Sequence, residues 1–206
     1  MKETPIIFST EMVRAILDGR KTQMRKTKGL EAINDNPEIW SFLEQIEDEY
    51  HFGHGDPSGD AWGEGFVKCP YGKVGDLLWV RETCSWPKPF RGETTITYKA
   101  TFDKEEAPYL RRSKRQWRPA IYMPKWAARI WLEITGIKVE KVQGIGVEDE
   151  FAEGRPVPLD TEENGRQFDS WFKELWDSLN AKRGYGWDKN PFVWVIEFRR
   201  KVRGKG

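Results

Sequence analysis

From Phe192 to Arg199 the chain alternates without a break, with Phe192, Trp194, Ile196 and Phe198 on one side and Val193, Val195 and Glu197 on the other. A period of two fits a pleated strand and not a helix, whose faces recur every 3.6 residues. Arg129 to Glu140 carries the same signature: Ile130, Leu132 and Ile134 share one face, Trp131, Glu133 and Thr135 the other. Shorter strands are expected at Pro5 to Phe8, an edge strand, at Asp76 to Arg81 after a Gly75-Asp76 turn signal, and at Thr95 to Ala100. Strands joined by mixed short and long connections, with no repeating βαβ unit, argue for a small β-barrel with peripheral helices, and hence an α+β fold.

Three helices complete this frame. Ser9 or Thr10 can cap the first, Met12, Ala15 and Ile16 give it an apolar stripe, and Gly19 stops it. A second runs from Val147 to Glu153 and ends at Gly154 and Pro156. A third spans about Gly165 to Ala181, with Phe168, Trp171, Phe172, Leu175, Trp176 and Leu179 on one wide stripe. Two stretches break the frame. Residues 27–68 are acidic and glycine-rich, and read as an insertion in which Pro37 to Tyr50 forms one amphipathic helix through Ile39, Trp40, Phe42, Leu43 and Ile46. Residues 86–118 form the second insertion, closed by Arg111, Arg112, Lys114, Arg115, Trp117 and Arg118. The whole of 1–206 reads as one domain.

Composition bounds the function classes. Hydrophobic residues are 38% of the chain and charged residues 33%, so the 11 Trp and 11 Phe must supply much of the core. Lys plus Arg number 34 and Asp plus Glu 33, so no global field draws the chain to nucleic acid and any basic surface is local. Cys69 and Cys84 give no disulfide framework. His51, His54 and the two cysteines do not show the paired spacing of structural zinc, so no metal is expected, and no cofactor is implied. With no signal peptide and no apolar run of about 18 residues, no membrane contact is expected and the cytoplasm is the default compartment.

The element after the first helix, Gly19-Arg20-Lys21-Thr22-Gln23-Met24-Arg25 followed by Lys26, is dense in cation and hydroxyl, and suits a polar, anionic ligand. With it, the pieces PIIFSTEMVRAILDGRKTQ, CPYGKVGDLLWVRET, IYMPKWAARIWLEITGIKVEKVQGI, EDEFAEG, FKELWDSLN and NPFVWVIEF resemble, in that order, the ASCH-domain proteins of phages and prophages. The resemblance covers roughly residues 4–26, 69–83 and 117–198. It implies a PUA-like barrel with flanking helices, into which the acidic segment 27–68 would be inserted on the reading above, and recognition of RNA or a modified nucleoside, in the cytoplasm of a bacterial host. Some small bacterial members look like amidohydrolases that deacylate N4-acylcytidine, with a lysine, a threonine and a distant glutamate. Lys21 matches the lysine and Glu153 is nearest to the glutamate, but the threonine position is Met24, whose thioether cannot serve as a nucleophile. Thr22 supplies a hydroxyl two residues from Met24 but is expected to face the opposite way along an extended segment.

The other candidates follow from the same pieces. Arg81 and Glu82 end a strand and can aim at a cavity mouth, Arg81 as a bidentate phosphate or base contact, or can pair internally. Tyr122 and Trp126 offer surface on which a base can stack, or pack as core. Lys21, Arg25, Arg81 and part of Tyr122 to Trp126 are expected to line one cavity. Arg112 and Arg115 are expected to grip the backbone of longer oligomers. Glu197 is either a buried partner of Lys21 or Arg25 or an outward-facing strand residue. The chain reads first as a binder of RNA or a nucleoside or nucleotide. The alternatives are an amidohydrolase or ribonuclease using Lys21, and a phage adaptor that docks a host protein through 27–68.

Overall fold

A computed structural model describes residues 1–55, 62–86, 96–102, 117–156 and 168–202. Its strands are β1 (Glu3–Ile7), β2 (Gln23–Lys26), β3 (Trp40–Ile46), β4 (Glu49–Gly55), β5 (Trp62–Lys68), β6 (Leu77–Arg81), β7 (Cys84–Ser85), β8 (Thr97–Tyr98), β9 (Trp131–Lys141) and β10 (Phe192–Lys201). Its helices are α1 (Thr10–Leu17), α2 (Glu31–Asp35), α3 (Val147–Ala152) and α4 (Phe168–Asn180). The fold is α+β, rich in sheet and with few helices.

Five strands form a mixed sheet in the order β1-β6-β9-β10-β2. The β1–β6 pair is parallel and the other three are antiparallel. This sheet does not close into a barrel. Its outer strands, β1 and β2, exchange no backbone hydrogen bonds. They nonetheless line one cavity from opposite sides, through Ile7 and Phe8 at the end of β1 and Met24, Arg25 and Lys26 of β2. The sheet therefore curls until its edges face each other across a seam.

The alternation of β10 accounts for the layers on either side of it. Phe192, Trp194, Ile196 and Phe198 enter the main core with Leu78, Leu132, Ile134 and the Val13–Ile16 face of α1. Val193 and Val195 point the other way, against Phe172 and Trp176 of α4. Trp194 is fully buried, and its indole N–H donates to the Lys28 carbonyl at 3.0 Å. An aromatic buried to this extent contributes about 4 kcal/mol of transfer free energy. Glu197, where the register of β9 against β10 shifts, is exposed; it lies opposite Gln23 of β2 but forms no ion pair with Lys21 or Arg25, whose carboxylate partners are Glu153, Glu140 and Asp149.

Residues 27–68 differ from expectation. In place of a helix over 37–50 and a loop, they hold the short α2 and an antiparallel meander β3-β4-β5. Ile39, Phe42, Leu43 and Ile46 mimic helical spacing because β3 carries an extra residue at Leu43, between the Phe42–Phe52 and Glu44–His51 pairs. Of the expected stripe, Ile39, Leu43 and Ile46 are each at least two-fifths exposed, and only Trp40 and Phe42 pack against the core. Tyr50 and Phe52 instead anchor the meander, with ring centroids 4.7 Å from Trp194 and 5.3 Å from Phe192. Among the described residues no helix is long and apolar enough to cross a membrane.

Candidate functional site at the sheet seam

Lys21 is held by the ends of two helices. Gly19 takes φ 77° and turns the chain out of α1. The Lys21 amide then donates to the Ala15 carbonyl at 3.0 Å, and the Thr22 amide to Ala152 at 2.8 Å. On the facing side, α3 stops at Gly154, whose φ is 97°. A Cβ added there would lie 3.0 Å from the Ala15 Cβ and 3.2 Å from the Lys21 Cβ. Only glycine lets α3 come this close, and the approach brings Glu153 onto Lys21. The lysine ammonium donates to Glu153 Oε2 at 2.7 Å and to the Glu153 carbonyl at 2.8 Å, with both side chains buried.

Arg25 extends this pair into a network. Its Nη1 donates to Gln23 Oε1 at 2.7 Å and Glu153 Oε1 at 3.2 Å, its Nη2 to Glu140 Oε1 at 2.6 Å and Asp149 Oδ2 at 2.8 Å. Burial alone would lower the pKa of the guanidinium, but Glu153, Glu140 and Asp149 more than offset this and hold it raised. For Asp149, burial works against ionisation, and Arg25 and Gln23 outweigh it, so its pKa is lowered. Each charge in the network is matched within the protein, which a buried ion requires.

The seam cavity beside this network has a volume of about 350 Å³, within the range of small-molecule sites. Phe8, Tyr71, Phe172 and Trp176 supply aromatic surface to it, and Lys21, Arg25, Lys26, Lys28 and Arg183 supply cations. Glu153 is its one carboxylate among the described residues. Because Lys21 and Arg25 are already matched, the unspent charge comes from Lys26, Lys28 and Arg183. No carboxylate among the described residues lies within salt-bridge distance of these three. The Lys26 ammonium sits 5.7 Å from the Phe8 ring centroid, and Lys21 lies 5.8 Å from the same ring. Burial first, and then the Lys21 charge, push the pKa of Lys26 down to about 8.

The other sequence candidates lie elsewhere. Thr22 is exposed and lines a separate depression with Arg20, Phe151 and Arg155, as an extended backbone with Lys21 turned inward requires. Met24 does line the cavity, with its side chain turned into the core. Arg81 does not join Lys21 and Arg25. Its Nη2 donates to the Ile121 carbonyl, and its guanidinium lies 5.5 Å over Trp79. Strand β6 lies next to β1 on the side away from the seam, and this separates Arg81 from the cavity. Glu82 forms an internal bidentate pair with Arg129, at 2.8 and 2.9 Å. Tyr122 and Trp126 are exposed and do not line the cavity, because 3-10 turns at Ala120–Tyr122 and Lys125–Ala127 hold them away from it. The expected grouping of Lys21 and Arg25 with Arg81 and the Tyr122–Trp126 stretch is thus reduced to its first two members. Arg112 and Arg115 lie outside the described residues. His51 stacks on Phe66 at 4.3 Å, and Cys69 and Cys84 are buried in separate clusters.

Several lining residues carry no motif. Arg183 has no signal in the sequence, Tyr71 lies in one of the six pieces but is not marked there as a site residue, and Trp176 belongs to a stripe that reads as plain core. Lys26 was visible only as one cation in a basic run. No family model matches the chain, and no curated protein and no solved structure matches it either.

Proposed function

We propose that the chain is an ASCH-type, PUA-like protein of phage or prophage origin that binds RNA or a modified nucleoside in the cytoplasm of its host, taking a base into the seam cavity. One observation carries this reading. The cavity joins aromatic faces from Phe8, Tyr71 and Trp176 to cations in excess of its carboxylate, which is the combination that a planar base with an attached phosphate needs. The six sequence pieces and their order support the family assignment.

Arg183 offers the cleanest test, since it is exposed and holds no carboxylate among the described residues. Titration of short single-stranded RNA, read by Trp fluorescence, should give binding that weakens with salt. In Arg183→Ala the affinity should fall several-fold, and the slope of log K against log salt should lessen by about 0.7 if Arg183 meets one phosphate. Failure of the native protein to bind any nucleoside or RNA would overturn the reading.

A second reading, an N4-acylcytidine-type amidohydrolase, is favoured by the Lys21–Glu153 pair at 2.7 Å. Against it stand the thioether of Met24 in the cavity and the Thr22 hydroxyl on the other side. If this chemistry was lost with the hydroxyl, Met24→Thr should gain measurable deacylation where the native protein has none. Robust hydrolysis by the native protein would assign the nucleophile elsewhere.

A further inference from the structure

Thr27 follows directly on β2, lines the seam cavity and is 2% exposed. Its hydroxyl has no hydrogen-bond partner. A buried hydroxyl left unpaired is costly and rare, and requires an explanation. Beside it in sequence stands Lys26, which lines the same cavity and makes no side-chain hydrogen bond among the described residues. An unpaired ammonium and an unpaired hydroxyl on consecutive residues of one cavity wall are complementary to an oxyanion.

We propose, on the basis of the nucleotide-type reading above, that Lys26 and Thr27 form the phosphate subsite of the seam cavity, so that its ligand is a nucleotide and not a neutral nucleoside. Lys21 and Arg25 are the more conspicuous cations of the motif, but a ligand phosphate could recruit them only by displacing Glu153, Asp149 or Glu140 from buried pairs. Lys26 has no such partner to lose. The charged and titratable groups that share the cavity with it are Lys21, Arg25, Lys28, Arg183, Glu153 and Tyr71. Burial, Lys21 and Arg183 make its ammonium harder to keep charged, and Glu153 offsets this only in part. A phosphate reverses this. Binding is therefore coupled to protonation of Lys26, which is incomplete near pH 8 in the free protein.

The test is calorimetric titration of the native protein with uridine, uridine 5′-monophosphate and the dinucleotide UpU, with the other three bases in parallel. The monophosphate should bind about tenfold tighter than the nucleoside, the increment of one charge-assisted contact. UpU separates the two sources of phosphate. If it binds as tightly as the monophosphate the subsite takes an RNA backbone, and if it binds like the nucleoside the subsite takes a terminal phosphate. Near pH 8 the heat should vary with the ionisation enthalpy of the buffer and report proton uptake. In Lys26→Gln the ratio of monophosphate to nucleoside affinity should fall toward one, while Lys26→Arg should keep the increment and lose the proton uptake. Thr27→Val should lower the monophosphate-to-nucleoside affinity ratio several-fold. Equal affinity for nucleoside and both phosphate ligands, or an undiminished increment in a folded Lys26→Gln, overturns the subsite and leaves the base-binding reading standing. Absence of binding by any of the ligands overturns both.

Discussion

Lys21 and Lys26 share one aromatic neighbour, yet their electrostatic states are opposite. Lys21 is matched by Glu153, whereas Lys26 is half-buried with no carboxylate partner among the described residues, and desolvation followed by the Lys21 charge lowers its pKa from 10.5 to about 8. This difference has a measurable sign. Between pH 8 and 10.5 the unfolded chain holds a proton on Lys26 that the folded chain has released, so stability rises with pH across that window. Below pH 8 the cost of charging a desolvated amine is fully present. Lys26→Met should therefore be more stable than the native protein at neutral pH, by about 2 kcal/mol, with the gap closing as pH approaches 10.5. Burial pushes the thiols of Cys69 and Cys84 up to about 11, which works in the opposite direction above pH 9 in both proteins. The difference between their urea unfolding curves cancels that term, and a gap that stayed constant with pH would show that Lys26 is not the group responsible.

At the level of elements, α3 matters more for where it ends than for how long it is. Its six residues stop at a glycine that admits Lys21 and Ala15 to contact distance. Gly154→Ala would place a methyl group in a left-handed backbone and against both neighbours, at a cost of about 1–3 kcal/mol. A lowered urea midpoint with an unchanged slope is the expected result, and an unchanged midpoint would mean that α3 has room to retreat. This end was legible in the sequence, since Gly154 and Pro156 mark it. Strand β10 was legible for an equally simple reason, its unbroken alternation. Strand β3 was not, because one extra residue at Leu43 shifts its apolar positions onto a helical period. Bulges are decided by the partner strand, and β4 cannot be read from β3.

Across the whole molecule, the segment between α2 and β6 is part of the core and not a surface appendage. Tyr50 and Phe52 cover Trp194 and Phe192, and the Tyr50 hydroxyl donates to the Ile137 carbonyl at 3.1 Å. Replacing residues 40–68 with a Gly-Ser linker should red-shift Trp emission and lower Tm by ten degrees or more, since about 4 kcal/mol or more of aromatic burial is removed. A neutral deletion would show the meander to be dispensable. The candidate site was only half legible on this scale. The Lys21–Glu153 pair came from a resemblance between distant pieces, but the cavity itself is made by edges that meet only after the sheet curls. Tyr71, Trp176 and Arg183 arrive from three separate segments, and no local pattern announces their meeting. That meeting has a thermodynamic corollary. Strands β1 and β2 face each other with no backbone hydrogen bond between them, so any molecule that fills the seam acts as a clasp, joining two margins the chain leaves unsewn. Such a guest binds only the folded state and raises its melting temperature in proportion to the logarithm of its concentration. Inside a cell, the lifetime of the protein against proteolysis would then follow the supply of its ligand.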